Sequence, residues 1–210
     1  MGTDRKLEYL TSLGMIAFPW LVLNVIIFAA LQDSYSHINN YVSELGAIKA
    51  NYSEFMNVFG FIGTGLLIIL FGVGIFLTLR RLEQKNYVGI FVVAFGTMFC
   101  LIAIPMDYPG RYHFFFALYA LVPFYLTVVF GLFVIYRLNV STKLKYLLYF
   151  WGMMVFLDAI IPLSLPVGLY QRMTLTLVFG WFCLFSLIIF MASKAPYQKL
   201  ERKNCSNAHV

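Results

Sequence analysis

Charge is what this sequence has least of. Only 11% of its 210 residues are Asp, Glu, Lys or Arg, against 61% that are apolar. A soluble domain carries roughly 25% charged residues, so a water-soluble enzyme is excluded. Intrinsic disorder is excluded as well, because it requires low hydrophobicity and high charge. Cysteine is scarce: Cys100 and Cys183 fall inside apolar runs and Cys205 near the C-terminus. None stands in a loop expected outside the membrane, so no structural disulfide is expected. There is no CxxC or HExxH pattern. The glycine cluster Gly60-Phe61-Ile62-Gly63-Thr64-Gly65 lacks the lysine of a phosphate-binding loop and is read, with Gly72 and Gly74, as a helix-packing surface. Period-two alternation is missing too, which excludes a membrane β-barrel.

What is present is a series of long apolar runs. A bilayer-crossing helix needs about 20 such residues. The runs predict an all-α polytopic bundle of six transmembrane helices, over about 10–31, 55–79, 87–105, 113–136, 146–163 and 170–192. They form a single integral membrane domain with a basic tail at 193–210. The first run exceeds the roughly 7–15 residues of a signal-peptide core and is read as a retained helix.

The cations then orient the bundle. Twelve of the fifteen Lys and Arg cluster on one side: Arg5 and Lys6, Arg80 to Lys85, Arg137 to Lys145, and Lys194 to Lys203. Lys49, Arg111 and Arg172 fall on the other side. Short basic loops stay in the cytoplasm, so both termini are expected there, in a multi-pass protein of the cell membrane. Topology and anionic headgroups account for the net charge of +6 without a nucleic acid partner.

The remaining ionisable groups gather on the outer side. Read as a short amphipathic helix, the first outer loop places His37, Asn40, Tyr41 and Glu44 on one face. Ile38, Val42 and Leu45 form its apolar stripe, with Ser34 or Ser36 as cap and Gly46 as stop. In the second outer loop Pro105 ends the third span, Pro109-Gly110 makes a turn, and Asp107 and His113 flank it. Asp158 lies at membrane depth, where ionisable residues are rare and usually paired. Arg172 is its expected ion-pair partner. Arg172, with Gln171 and Asn40, is alternatively placed to bind a lipid headgroup or another anion. His37, Glu44, Asp107 and His113 are the catalytic candidates. They are also the candidate ligands of a zinc ion with an open position for water, or members of a hydrogen-bonded network.

The stretch Tyr35-Ser36-His37 through Val42-Ser43-Glu44-Leu45-Gly46-Ala47 resembles a large prokaryotic family of six-span membrane proteins of unknown function. The resemblance continues through Pro105-x-Asp107, His113 and Gln171-Arg172, and it implies an integral membrane fold without an assigned reaction. A weaker likeness is to eukaryotic membrane proteins of the Frag1/DRAM/Sfk1 type, which implies a link to lipid homeostasis. Ceramidase-like hydrolases, which hold zinc with three His in seven spans, are a poorer match to six spans and two outer His. Three functions follow as expectations, in order. The first is a lipid- or headgroup-interacting protein. The second is a metal-dependent hydrolase or transferase acting on lipid at the outer leaflet. The third is a small-molecule transporter, ranked last because the mid-membrane polar groups are few and uncharged.

Overall fold

The structure, a computed structural model, describes residues 2–161 and 164–194. Among them there is no strand, and six helices follow one another. They are α1 (Gly2–Ala30), α2 (Ser53–Arg81), α3 (Tyr87–Leu101), α4 (Tyr112–Arg137), α5 (Thr142–Ile160) and α6 (Val167–Ser193). Four of them, α1 from Arg5 onward, α2, α4 and α6, are long and apolar enough to cross a membrane. Helix α3 is apolar but shorter, at 15 residues. Helix α5 carries Lys143, Lys145 and Asp158 among its 19 residues.

The expected segments overlap these helices and differ at their ends: the first begins at Gly2 rather than near residue 10, and the fifth at Thr142 rather than 146. The third was expected to run to Pro105 and ends at Leu101. There the Ala103 and Ile104 amides turn back onto Cys100 and Leu101, three residues earlier. The tightened turn closes the helix before proline is reached. Residues 162 and 163 of the fifth expected span, and the expected tail from 195 on, lie outside the described residues.

Around the bundle the helices neighbour one another in the order α4, α3, α2, α1, α6, α5. The closest interface is α2 against α3, and glycine makes it possible. A Cβ on Gly65 would stand 2.7 Å from the Gly96 carbonyl oxygen, and one on Gly96 2.8 Å from that of Gly65. Gly72 and Gly89 repeat the arrangement at 2.9 and 2.8 Å. The two pairs share one antiparallel register, each helix placing its glycines seven residues apart. Backbones then touch directly, as membrane helices do where small residues face each other. Gly74 does the same toward α1, where a Cβ would meet the Leu10 backbone at 2.9 Å.

The core lies where α3, α4 and α6 face one another. Phe95 and Phe182 have ring centroids 4.9 Å apart, and Phe99, Phe124 and Phe179 surround them. Tilted and edge-on pairs of this kind add about 0.5–1.5 kcal/mol each beyond the area they bury. The outer surface is apolar as well: Leu118, Val122 and Phe133 are all more than half exposed. A soluble protein avoids such a continuous apolar surface, and a bilayer requires it. At the basic end Lys194, which follows α6, approaches Glu8 of α1 at 4.0 Å, so the start of the first helix and the end of the last lie together.

Candidate functional site

The segment from residue 31 to 52 crosses the end of the bundle opposite Glu8 and Lys194 and is fastened to it at three places. At its base the segment closes on itself, where the Gln32 side chain donates to the Asn51 carbonyl at 2.6 Å and accepts from the Asn51 amide at 3.1 Å. Toward α2, Asn57 Nδ2 donates to the Gly46 carbonyl at 2.9 Å. Toward the α3–α4 connection, the Ile48 amide donates to Asp107 Oδ1 at 2.8 Å. Toward α6 the attachment is densest. The Leu169 amide donates to the Ile38 carbonyl at 3.0 Å, and the Val42 amide to Gln171 Oε1 at 2.6 Å.

Arg172 is the centre of that last attachment. Its Nη1 donates to the carbonyls of Asn40 at 2.9 Å and Gly168 at 2.8 Å. Its Nη2 donates to the Tyr35 hydroxyl at 2.7 Å and faces His37 Nδ1 at 3.3 Å. The Tyr35 hydroxyl donates onward to the Tyr41 carbonyl at 3.0 Å. Burial pushes the Tyr35 phenol above its ordinary value, with Arg172 pulling the other way. The phenol therefore keeps the proton that its bond to Tyr41 uses. Gly168 allows the loop to lie this close: a Cβ there would stand 2.5 Å from the Asn40 carbonyl oxygen and 2.7 Å from that of Ile38.

These bonds correct the expectation of an amphipathic helix from Ser34 or Ser36 to Gly46. Only Val42–Gly46 is helical, as a single 3₁₀ turn. The side chains upstream compete with the backbone for its own partners. Glu44 accepts from the Tyr41 amide and from Asn40 Nδ2, both at 2.7 Å, and Asn40 Oδ1 accepts from the Ser36 amide at 2.8 Å. The Ile38 and Asn40 carbonyls, which a helix would need, are taken by α6. Of the expected apolar stripe, Val42 and Leu45 are buried while Ile38 is exposed.

The expected Asp158–Arg172 ion pair is likewise corrected. Asp158 Oδ2 accepts from Thr174 Oγ1 at 2.9 Å, and the Asp158 carbonyl accepts from the Tyr170 hydroxyl at 3.3 Å. Tyr170 and Thr174 are four residues apart and share the face of α6 turned to α5. Arg172, midway between them, points the opposite way.

The four catalytic and zinc candidates do not come together. His37 accepts from Arg172, Glu44 closes the loop on itself, and Asp107 holds Ile48. His113 Nδ1 lies 2.7 and 3.0 Å from the carbonyls of Ile102 and Ile104. Carbonyls only accept, so Nδ1 carries the proton and Nε2 is the free acceptor. Among the described residues no three His, Cys, Asp or Glu side chains are grouped to hold a metal ion. The donor set does not fit zinc.

Beneath the loop lies a cavity of about 130 Å³. Its walls are aromatic and aliphatic, with Phe61, Phe95, Phe99 and Phe179 among them, and its polar groups are Ser43, His113, Gln171 and Thr174. Phe61 reaches it from a π-helical stretch of α2, Met56–Ile62. The widened turn there leaves carbonyls for other helices, Trp20 Nε1 donating to the Phe59 carbonyl at 2.8 Å. Such bulges occur frequently at functional sites. Gln171, Thr174, Leu175 and Val178 line the cavity at helical spacing, and that run of polar then apolar residues on one face of α6 is a signal the sequence carried. Ser43 gave none beyond its place in the Ser-Glu-Leu-Gly stretch.

No curated protein and no solved structure matches the chain. A family model does, over residues 15–188, a range that holds the loop, the cavity and every site residue named above. The chain belongs to the DUF998 family, proteins of unknown function.

Proposed function

We propose that the protein is a six-span membrane protein, with both termini in the cytoplasm, that binds the apolar part of a lipid in the cavity under its outer loop. One observation carries this reading: an aromatic-walled cavity with Ser43, His113, Gln171 and Thr174 as its polar groups. Ligand sites are mostly apolar with a few polar groups that fix orientation. A cavity of about 130 Å³ takes the end of an acyl or isoprenoid chain rather than a whole lipid. Gln171 and Asn40 help to hold the loop over the cavity. Arg172, whose Nη1 and Nη2 are both engaged by the protein, acts in the same way instead of gripping a phosphate.

The test is to purify the full-length protein from membranes in mild detergent and identify retained lipid by native mass spectrometry. Ala117 lines the cavity, and Ala117→Trp fills it. Wild type retaining lipid that Ala117→Trp loses, at unchanged thermal stability, supports the reading. Wild type holding none, or the variant holding as much, overturns it.

A second reading, a lipid-ester hydrolase, is favoured by one further observation. Ser43 and His113 border the same cavity, and His113 is held in the tautomer whose free Nε2 can act as a general base. The same lipid-loaded preparation separates the two. A hydrolase releases fatty acid with time and stops releasing it in Ser43→Ala, whereas a binding protein returns its lipid intact.

A further inference from the structure

At the basic end of the bundle, opposite the loop, a second cavity of about 200 Å³ opens between the start of α3 and the end of α4. Lys85 and Arg137 stand at it, and Phe130, Phe133 and Val134 form its apolar wall. Neither cation makes a hydrogen bond or ion pair with another described residue. Among the described residues no carboxylate lines the cavity, and Glu83, the acid in the α2–α3 connection, is outside it. Lys145, by contrast, donates to the Tyr136 carbonyl, and Lys194 has Glu8. Two unpartnered positive charges therefore face one groove.

The shape of the groove narrows what it takes. Phe133 is 66% exposed and Phe130 39%, while Val134 beside them is buried. The apolar wall thus opens sideways along α4, away from the basic end. A soluble phosphate has no use for such a wall. A phospholipid does, because its acyl chain descends from its phosphate along the helix. Tyr87, 54% exposed, borders the groove at the level where amphipathic rings mark a membrane interface. Basic pockets between helices on the cytoplasmic side suit anionic headgroups.

We infer that this groove binds one anionic phospholipid, its phosphate between Lys85 and Arg137 and an acyl chain against Phe130 and Phe133. The inference is independent of the cavity under the loop.

The experiment measures binding of phosphatidylglycerol, phosphatidylcholine and inorganic phosphate to the delipidated full-length protein by native mass spectrometry. The variants are Lys85→Ala/Arg137→Ala and, as a charge-matched control at the same end, Lys6→Ala/Lys143→Ala. A third variant, Phe133→Ser, tests the wall. The expected result is one phosphatidylglycerol bound in preference to phosphatidylcholine. Its affinity should fall roughly ten- to thirtyfold in Lys85→Ala/Arg137→Ala, fall less in Phe133→Ser, and hold in the control. Several results overturn the inference: equal loss in the control, equal affinity for phosphatidylcholine, competition by inorganic phosphate at similar concentration, or no loss in Lys85→Ala/Arg137→Ala. Thermal stability of each variant is measured alongside. If Lys85→Ala/Arg137→Ala does not fold, Lys85→Gln and Arg137→Gln taken singly carry the same comparison.

Discussion

Arg172 shows how a residue can be found in a sequence and still be misread. A lone cation at the outer end of an apolar helix invites a carboxylate or a phosphate as partner. Its actual partners are two backbone carbonyls, a phenol and an imidazole. Carbonyls belong to every residue, so no pattern of side chains announces them. Asn40, Glu44 and Gln171 were singled out in the same way, and each proves to hold the loop. The consequence is measurable. Hydrogen bonds to charged groups are worth about 1.5–3 kcal/mol each, so Arg172→Gln, which keeps polarity but loses the fork, should cost about 2–3 kcal/mol. It should lower the thermal midpoint and speed tryptic cleavage after Lys49, which is exposed in the loop. Arg172→Lys should restore little, because an ammonium cannot reach several acceptors in one plane. Cleavage at the wild-type rate in both variants would mean that the loop is held by other contacts.

At the scale of the element, hydropathy made the helices legible and geometry made the loop illegible. An apolar run must be helical in a bilayer, since no water is there to satisfy its amides. The residues from 31 to 52 have no such constraint. Their conformation follows from bonds to α6, which lies more than 100 positions further along the chain. The glycines of α2 were legible as a packing surface, although their partners on α3 were not paired with them in advance. Their close approach yields a sharp contrast. Gly72→Leu drives a side chain into the Gly89 backbone and should destabilise by about 3 kcal/mol or more, seen as lost monodispersity in detergent. Gly131→Ala meets no backbone, only the Trp181 ring at 3.2 Å and the Phe185 ring at 3.6 Å, and should be far milder. Equal effects would show that the α2–α3 seam is looser than its geometry.

For the whole molecule, the uneven division of charge predicts which end faces the cytoplasm. In a variant with Cys100, Cys183 and Cys205 replaced by Ala, Lys49→Cys should react with a membrane-impermeant maleimide on intact cells. Lys143→Cys should react only after permeabilisation. Any other pattern rules out six spans with both termini inside. If the pattern holds, the two proposed lipid sites, an apolar chamber under a fastened loop and a cationic groove open to the side, lie toward opposite faces of the membrane. The fastening also sets a sequence of events during synthesis. Tyr35 lies 137 positions before Arg172, so the ribosome completes the loop long before the residue that fastens it. Until α6 enters the membrane, the chamber has no wall on that side and its cover has nothing to hold. Closing it is therefore among the last steps of assembly, and a chain that stops short of α6 leaves its loop unfastened.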